Sequence, residues 1–74
     1  MTNEAAARLV DARGMRCPWP ALRLARAMRD AAEVLLIADD PNAASEVAAL
    51  AAEHGWTVTD EGKDAREGRW RVRH

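Results

Sequence analysis

The chain of 74 residues holds one cysteine, two histidines, no excess of charge of either sign and no long apolar run. Each shortage excludes something. Small secreted domains usually carry several cysteines paired as staples, so the lone Cys17 reads as a free thiol in a reducing compartment. It also leaves no second cysteine to resolve an oxidised first one, as most thiol redox enzymes require. One cysteine with the distant His54 and His74 does not supply the roughly four suitably spaced ligands of a zinc site. A net charge of −1 gives no basic field that would point to nucleic acid. The β-rich run 34–38 is far short of the roughly 18 apolar residues that a membrane helix needs. Residues 1–8 lack the charged-then-apolar layout of a secretion signal, so the expected location is the cytoplasm.

What remains is enough for one compact domain with a modest core, spanning 1–74. A deep pocket and a full catalytic apparatus do not fit in such a chain, so function is expected to rest on a surface site and on partner proteins. Residues 1–7 are polar and alanine-rich, either a frayed lead-in or the beginning of a helix, and no function is assigned to them.

Leu9-Val10 reads as a short strand ending near Asp11, followed by a loop with a hinge at Gly14. Cys17-Pro18-Trp19-Pro20 marks a helix start, because proline is tolerated in the first turn, where N–H groups have no intrahelical partner. Cys17 falls at or next to the N-cap. Ala21, Leu22, Leu24, Ala25 and Met28 form the apolar face of that helix, and Arg23, Arg26 and Arg29 another face. The run 34–38 is continuously apolar and predicts a central strand. Asp40-Pro41 repeats the design of N-cap followed by proline, opening a second helix that carries Ala44, Val47, Ala48 and Ala51 inward and stops at His54-Gly55. Residues 56–59 alternate as a strand, 60–68 form a polar loop, and 69–73 alternate with Trp70 and Val72 inward and arginines outward. The order β-α-β-α-β-β predicts an α/β (α+β) two-layer sandwich: a four-stranded mixed sheet with both helices on one face.

A thiol at a helix start is the informative feature. The helix N-terminus carries partial positive charge and unsatisfied N–H donors, which favour an anion. The thiol pKa is therefore expected below the free-cysteine value of about 8.5, giving more of the nucleophilic thiolate. Arg13 and Arg16, just upstream, add positive potential if they point inward. The same setting would stabilise a persulfide anion without metal or organic cofactor. The plain alternative is a structural cysteine acting as a small hydrophobe.

The segment from Leu9 through Asp11, Gly14, Met15, Cys17, Pro18 and Trp19 to Pro20 closely resembles the signature of TusA/SirA/YedF-like sulfurtransferases: apolar strand, Asp, then Gly-apolar-x-Cys-Pro-x-Pro and a helix. Ala38-Asp39-Asp40-Pro41 is similar to that family's stretch where strand two meets helix two, and the resemblance runs from about residue 9 to 72. It implies a fold similar to the C-terminal domain of translation initiation factor three. It also implies a sulfur carrier in which Cys17 accepts sulfur from a cysteine desulfurase or other donor protein and passes it to an acceptor protein. Destinations in the family include tRNA thiolation, molybdenum-cofactor enzymes and sulfur oxidation. By the same resemblance Pro18 and Pro20 shape the helix start, and Asp11 and Gly14 support the loop. The sequence departs from the family at 30–33, where a Pro-Gly turn is usual, and in the large Trp19, which lines a partner surface or packs on the sheet.

Arg13, Arg16, Trp19, Arg23, Arg26 and Asp40 are candidate electrostatic or partner contacts, against a plain reading of the arginines as a solvated face and Asp40 as a cap. Trp56 and Trp70 read as core, His54 as a helix-end charge, and His74 as a disordered terminus. The C-terminal arginines lack interleaved exposed aromatics, so direct nucleic-acid contact is not expected. A monomer is expected. The competing hypothesis is a regulatory or protein-binding module of the same fold without sulfur transfer.

Overall fold

The computed structural model describes residues 7–62 and 66–74. The reading of 1–7 thus lies outside the described residues except for Ala7, as does the centre of the polar loop 60–68. The elements are β1 (Arg8–Asp11), α1 (Trp19–Asp30), β2 (Glu33–Ala38), α2 (Ala43–His54), β3 (Thr57–Asp60) and β4 (Gly68–Arg73). The sheet order is β1-β2-β4-β3, with β1 parallel to β2 and the other pairs antiparallel. The apolar run does form a central strand, flanked by β1 and β4.

Both helices cover one face. Val10 of β1, Val34, Leu36 and Ala38 of β2, and Trp70 and Val72 of β4 form one core with Leu24, Ala27 and Met28 of α1 and Ala43 and Val47 of α2. The period-2 alternation of β4 thus places Trp70 and Val72 under the helices. Its arginines lie on the open face, where Arg71 pairs with Glu33 of β2 at 2.6 Å and with Glu61 at 2.7 Å. Ile37 is buried but stands outside the core cluster, so the continuous apolar run reflects a strand with little exposure on either face.

The helix faces differ in detail from the sequence reading. In α1 the buried residues are Pro20, Leu24, Ala27 and Met28, and Leu22 is 51% exposed. In α2 they are Ala43, Val47 and Ala51, and Ala44 and Ala48 are exposed. Alanines are uninformative about phase, so an alanine-rich helix can turn by one position without changing its pattern. Asp40 is not the N-cap of α2; Asn42 is. Asp40 instead closes a preceding turn, its carbonyl accepting the Ala43 N–H at 3.0 Å and its carboxylate the Asn42 N–H at 3.3 Å.

The missing Pro-Gly turn is replaced simply. Ala31 leaves α1 in an extended conformation while its N–H still bonds the Ala27 carbonyl at 3.0 Å. α2 ends as expected at Gly55, whose φ of 74° suits glycine. His74 is tied down, contrary to the expectation of disorder: its N–H meets the Ala32 carbonyl at 3.3 Å and its Nε2 lies 2.9 Å from the Met28 carbonyl oxygen. Trp56 precedes β3 at the rim of the core, with His54 stacked on it at 4.5 Å.

Candidate functional site

The thiol sits where β1 hands over to α1, and the chain there is fixed from two sides. Ala12 continues beside β2, its N–H bonded to the Ile37 carbonyl at 2.7 Å, and its side chain is fully buried. The loop then turns at Gly14, whose φ of 83° is accessible to glycine at little cost. The Gly14 N–H donates to the Asp39 carboxylate at 2.9 Å, and the Cys17 N–H donates to the Asp40 carboxylate at 2.5 Å. The two aspartates after β2 thereby hold the loop before α1, a shape that leaves a hollow of about 410 Å³ lined by Gly14, Met15, Arg16, Asp39, Asp40 and Pro41.

Pro18 is the N-cap of α1, so Cys17 stands immediately before the cap, exposed and unpaired with any other sulfur. The turn into the helix closes through the Trp19 N–H to the Arg16 carbonyl at 2.9 Å and the Leu22 N–H to the Pro18 carbonyl at 3.1 Å. Pro20 is buried in the core, which anchors the first turn, and Trp19 beside it is 59% exposed.

The environment of the thiol is acidic. The Cys17 Sγ–H donates to Glu46 of α2, and this hydrogen bond, followed by desolvation and the charges of Glu46 and Asp40, raises the thiol pKa above its ordinary value. The sequence-based expectation of a lowered pKa is thus overturned. The helix N-terminus still favours an anion, but a carboxylate in contact with the sulfur outweighs that partial charge. Nor does Arg13 bond to the thiol: it forms a bidentate pair with Asp11, at 2.9 and 2.7 Å, and lies 3.5 Å from Glu67. Asp11, held mainly by this pair, has its pKa lowered to about 2. Asp11 and Arg13 therefore form one unit that braces the start of the loop.

Of the other candidates, Arg16, Arg23 and Arg26 are exposed, and Arg23 reaches the Met15 sulfur at 3.7 Å. Trp19, Arg23 and Arg26 share α1 with the thiol at its start. Glu46 was not singled out from the sequence. An acidic residue in the first turn of a helix is already explained by the macrodipole, so nothing in its position flags a contact with a cysteine 29 residues away. Among the described residues no group of acidic, histidine or cysteine side chains is arranged to hold a metal, and no helix is long and apolar enough to cross a membrane.

The profile of the family Sulfurtransferase TusA matches residues 8–73, nearly the whole chain. The chain belongs to the TusA sulfurtransferase family. Members of this TusA family are sulfurtransferases that serve as sulfur carriers, so the match bears out the family resemblance carried by the Cys-Pro-x-Pro segment. A SirA-like protein of Desulfitobacterium hafniense shares the fold, with a TM-score of 0.77 over 88% of this chain and 93% of that one at 22% identity. No curated protein matches the chain.

Proposed function

We propose that this TusA-family chain is a cytoplasmic sulfur carrier that takes up sulfur on Cys17 as a persulfide and delivers it to a partner protein. The observation that carries this reading is the exposed free thiol of Cys17, held by the Asp40 carboxylate through its own N–H at the start of α1. Exposure lets a partner's sulfur reach Sγ, and the clamped backbone spares the entropy of ordering the loop at each encounter.

The transfer balances without external oxidant or cofactor. Cys17 Sγ gives up its proton and attacks the outer sulfur of a donor persulfide. The new S–S bond forms as the donor's own S–S bond breaks, and the donor leaves as a thiolate that takes up a proton. Thiol plus persulfide become persulfide plus thiol, with no net redox change. Delivery is the same exchange with the roles reversed. The donor is a cysteine desulfurase or another sulfur-bearing protein, and the acceptor belongs to a route such as tRNA thiolation, cofactor sulfuration or sulfur oxidation. The carrier acts as a monomer between encounters and needs no direct contact with nucleic acid.

The test is intact-protein mass spectrometry after incubation with a cysteine desulfurase and cysteine, on the native chain and on Cys17→Ala. A gain of one sulfur atom, reversed by a reductant and absent in the variant, is the expected result. No gain from several desulfurases or from thiosulfate-derived donors would transfer the assignment to a regulatory binding module.

A further inference from the structure

Glu46 reaches from the first turn of α2 to the thiol at the head of α1, and among the described residues the one hydrogen bond of its carboxylate is that from Cys17 Sγ to Oε2. Its other oxygen, Oε1, is buried with no hydrogen-bond partner among the described residues. A carboxylate kept for structure alone usually has both oxygens satisfied, since a buried oxygen without a donor is costly. This one is oriented by the cysteine and by little else.

The other charged groups around Cys17 do not offset it. Asp40, from the turn between β2 and α2, adds a second carboxylate at the Cys17 N–H. Arg13, in the same loop as the thiol, is spent on Asp11 and Glu67, and Arg23 of α1 leans on Met15. Arg16, the nearest residue of positive charge in sequence, is exposed. Among the described residues the side chains bonded to Cys17 are therefore both carboxylates, and a negative charge on Sγ has to form against them.

Building on the sulfur-carrier reading, we infer that Glu46 is a positioning residue that keeps the proton on Cys17 in the free carrier, releasing the nucleophile when a docking partner draws this carboxylate away or neutralises it. The partner so implied presents positive charge beside its sulfur-bearing group, which complements Glu46 as the two sulfurs meet. A carrier guarded in this way does not lose its thiol to stray electrophiles between encounters.

The experiment compares native protein with Glu46→Gln and Glu46→Asp, using iodoacetamide alkylation of Cys17 across pH and loading from inorganic polysulfide at neutral pH. Removing the charge is expected to lower the alkylation midpoint by about one pH unit. The thiolate fraction below the midpoint then rises roughly tenfold, and the weaker nucleophilicity of a more acidic thiol trims the gain to roughly three- to fourfold. Glu46→Gln should also load from polysulfide faster, by a similar factor, and Glu46→Asp should return toward the native profile. Thermal unfolding of each variant confirms that the fold persists, and Glu46→Ala serves if the glutamine variant does not fold. Superimposable alkylation profiles would overturn the inference. A shifted profile with unchanged loading would overturn it as well, because Glu46 would then not control sulfur uptake. The alkylation profile is independent of sulfur chemistry. A failed carrier assignment, with no sulfur gained by the native protein from any donor, is thus distinct from a failed role for Glu46.

Discussion

The carboxylate of Asp40 accepts the backbone N–H of Cys17 at 2.5 Å, so the turn that opens α2 holds the residue that opens α1. The neighbouring Asp39 does the same for Gly14 at 2.9 Å. A charge-assisted bond at a partly exposed site contributes on the order of 1 kcal/mol. Asp40→Ala is expected to lower the melting temperature by roughly 4–8 °C in a domain of this size. Sulfur loading should slow at the same time, because Cys17 loses its anchor. Circular dichroism melts and timed mass spectra check both; an unchanged loading rate would show that the clamp is not needed for transfer.

Gly68 lies under the indole of Trp70. A Cβ placed on it would come 2.2 Å from the Trp70 ring, and Trp70 is 7% exposed, so the ring cannot swing freely away. Gly68→Ala is expected to cost about 1–3 kcal/mol, the usual range for overpacking a filled core. The near-ultraviolet circular dichroism of the tryptophans should change with it. A variant as stable as the parent would mean that the ring has room that the packing does not suggest.

Acid should weaken the fold through its carboxylate–arginine pairs. Asp11 has its pKa lowered to about 2, chiefly by the Arg13 side chain, and Glu61 is lowered chiefly by Arg71. A carboxylate whose folded pKa is depressed contributes stability above its unfolded value of about 4 and loses it as pH falls through the folded value. The loss is therefore expected between about pH 4 and pH 2. Arg71→Gln should lower the melting temperature at neutral pH and make less difference as pH falls toward 2 and Glu61 takes up its proton. The Asp11–Arg13 pair is exposed and the Arg71–Glu61 pair half-buried, so added salt should shrink the effect, more for the first pair. Melts at the two pH values, with and without salt, decide it; an equal penalty at both would locate the role of Arg71 in packing.

Trp19 is 59% exposed and Leu22 is 51% exposed, both on the helix that begins beside the thiol. Two large apolar side chains left in water on the helix that starts beside the thiol proposed to carry sulfur suit a docking surface. Trp19→Ala is expected to change stability by no more than about 0.5 kcal/mol, as for surface positions generally. It should slow loading from a cysteine desulfurase several-fold while leaving loading from inorganic polysulfide unchanged. Equal slowing with both donors would place Trp19 in support of the thiol instead of the interface.

Much of the fold was legible because its signals are local. Pro18 and Pro20 mark a helix start through the missing N–H and restricted backbone of proline, Gly55 stops α2 at a positive φ, and Trp70 and Val72 alternate with arginines. Where the local signal is weak, the structure departs from the expectation. In α2 Val47 and Ala51 lie inward as their spacing predicts, but Ala43 is buried instead of Ala44 and Ala48 is exposed, since alanine fits either face; Asp40 before Pro41 predicts a cap, yet the chain makes one more turn before Asn42. His74 reads as a disordered terminus from the sequence because it is the last residue; the carbonyls of Met28 and Ala32 that hold it lie far away along the chain.

By itself the sequence determined the order of the elements, the central place of β2, and the position of an unpaired cysteine directly before a helix, each of which follows from a few consecutive residues. Only the tertiary structure decided the chemistry around that cysteine. It turned Arg13 to Asp11, brought Asp40 to the Cys17 backbone, and set Glu46 against the sulfur. The physical reason is that a thiol's proton is governed by the charges within a few ångströms of it, and those charges come from residues that meet only when α2 packs beside α1.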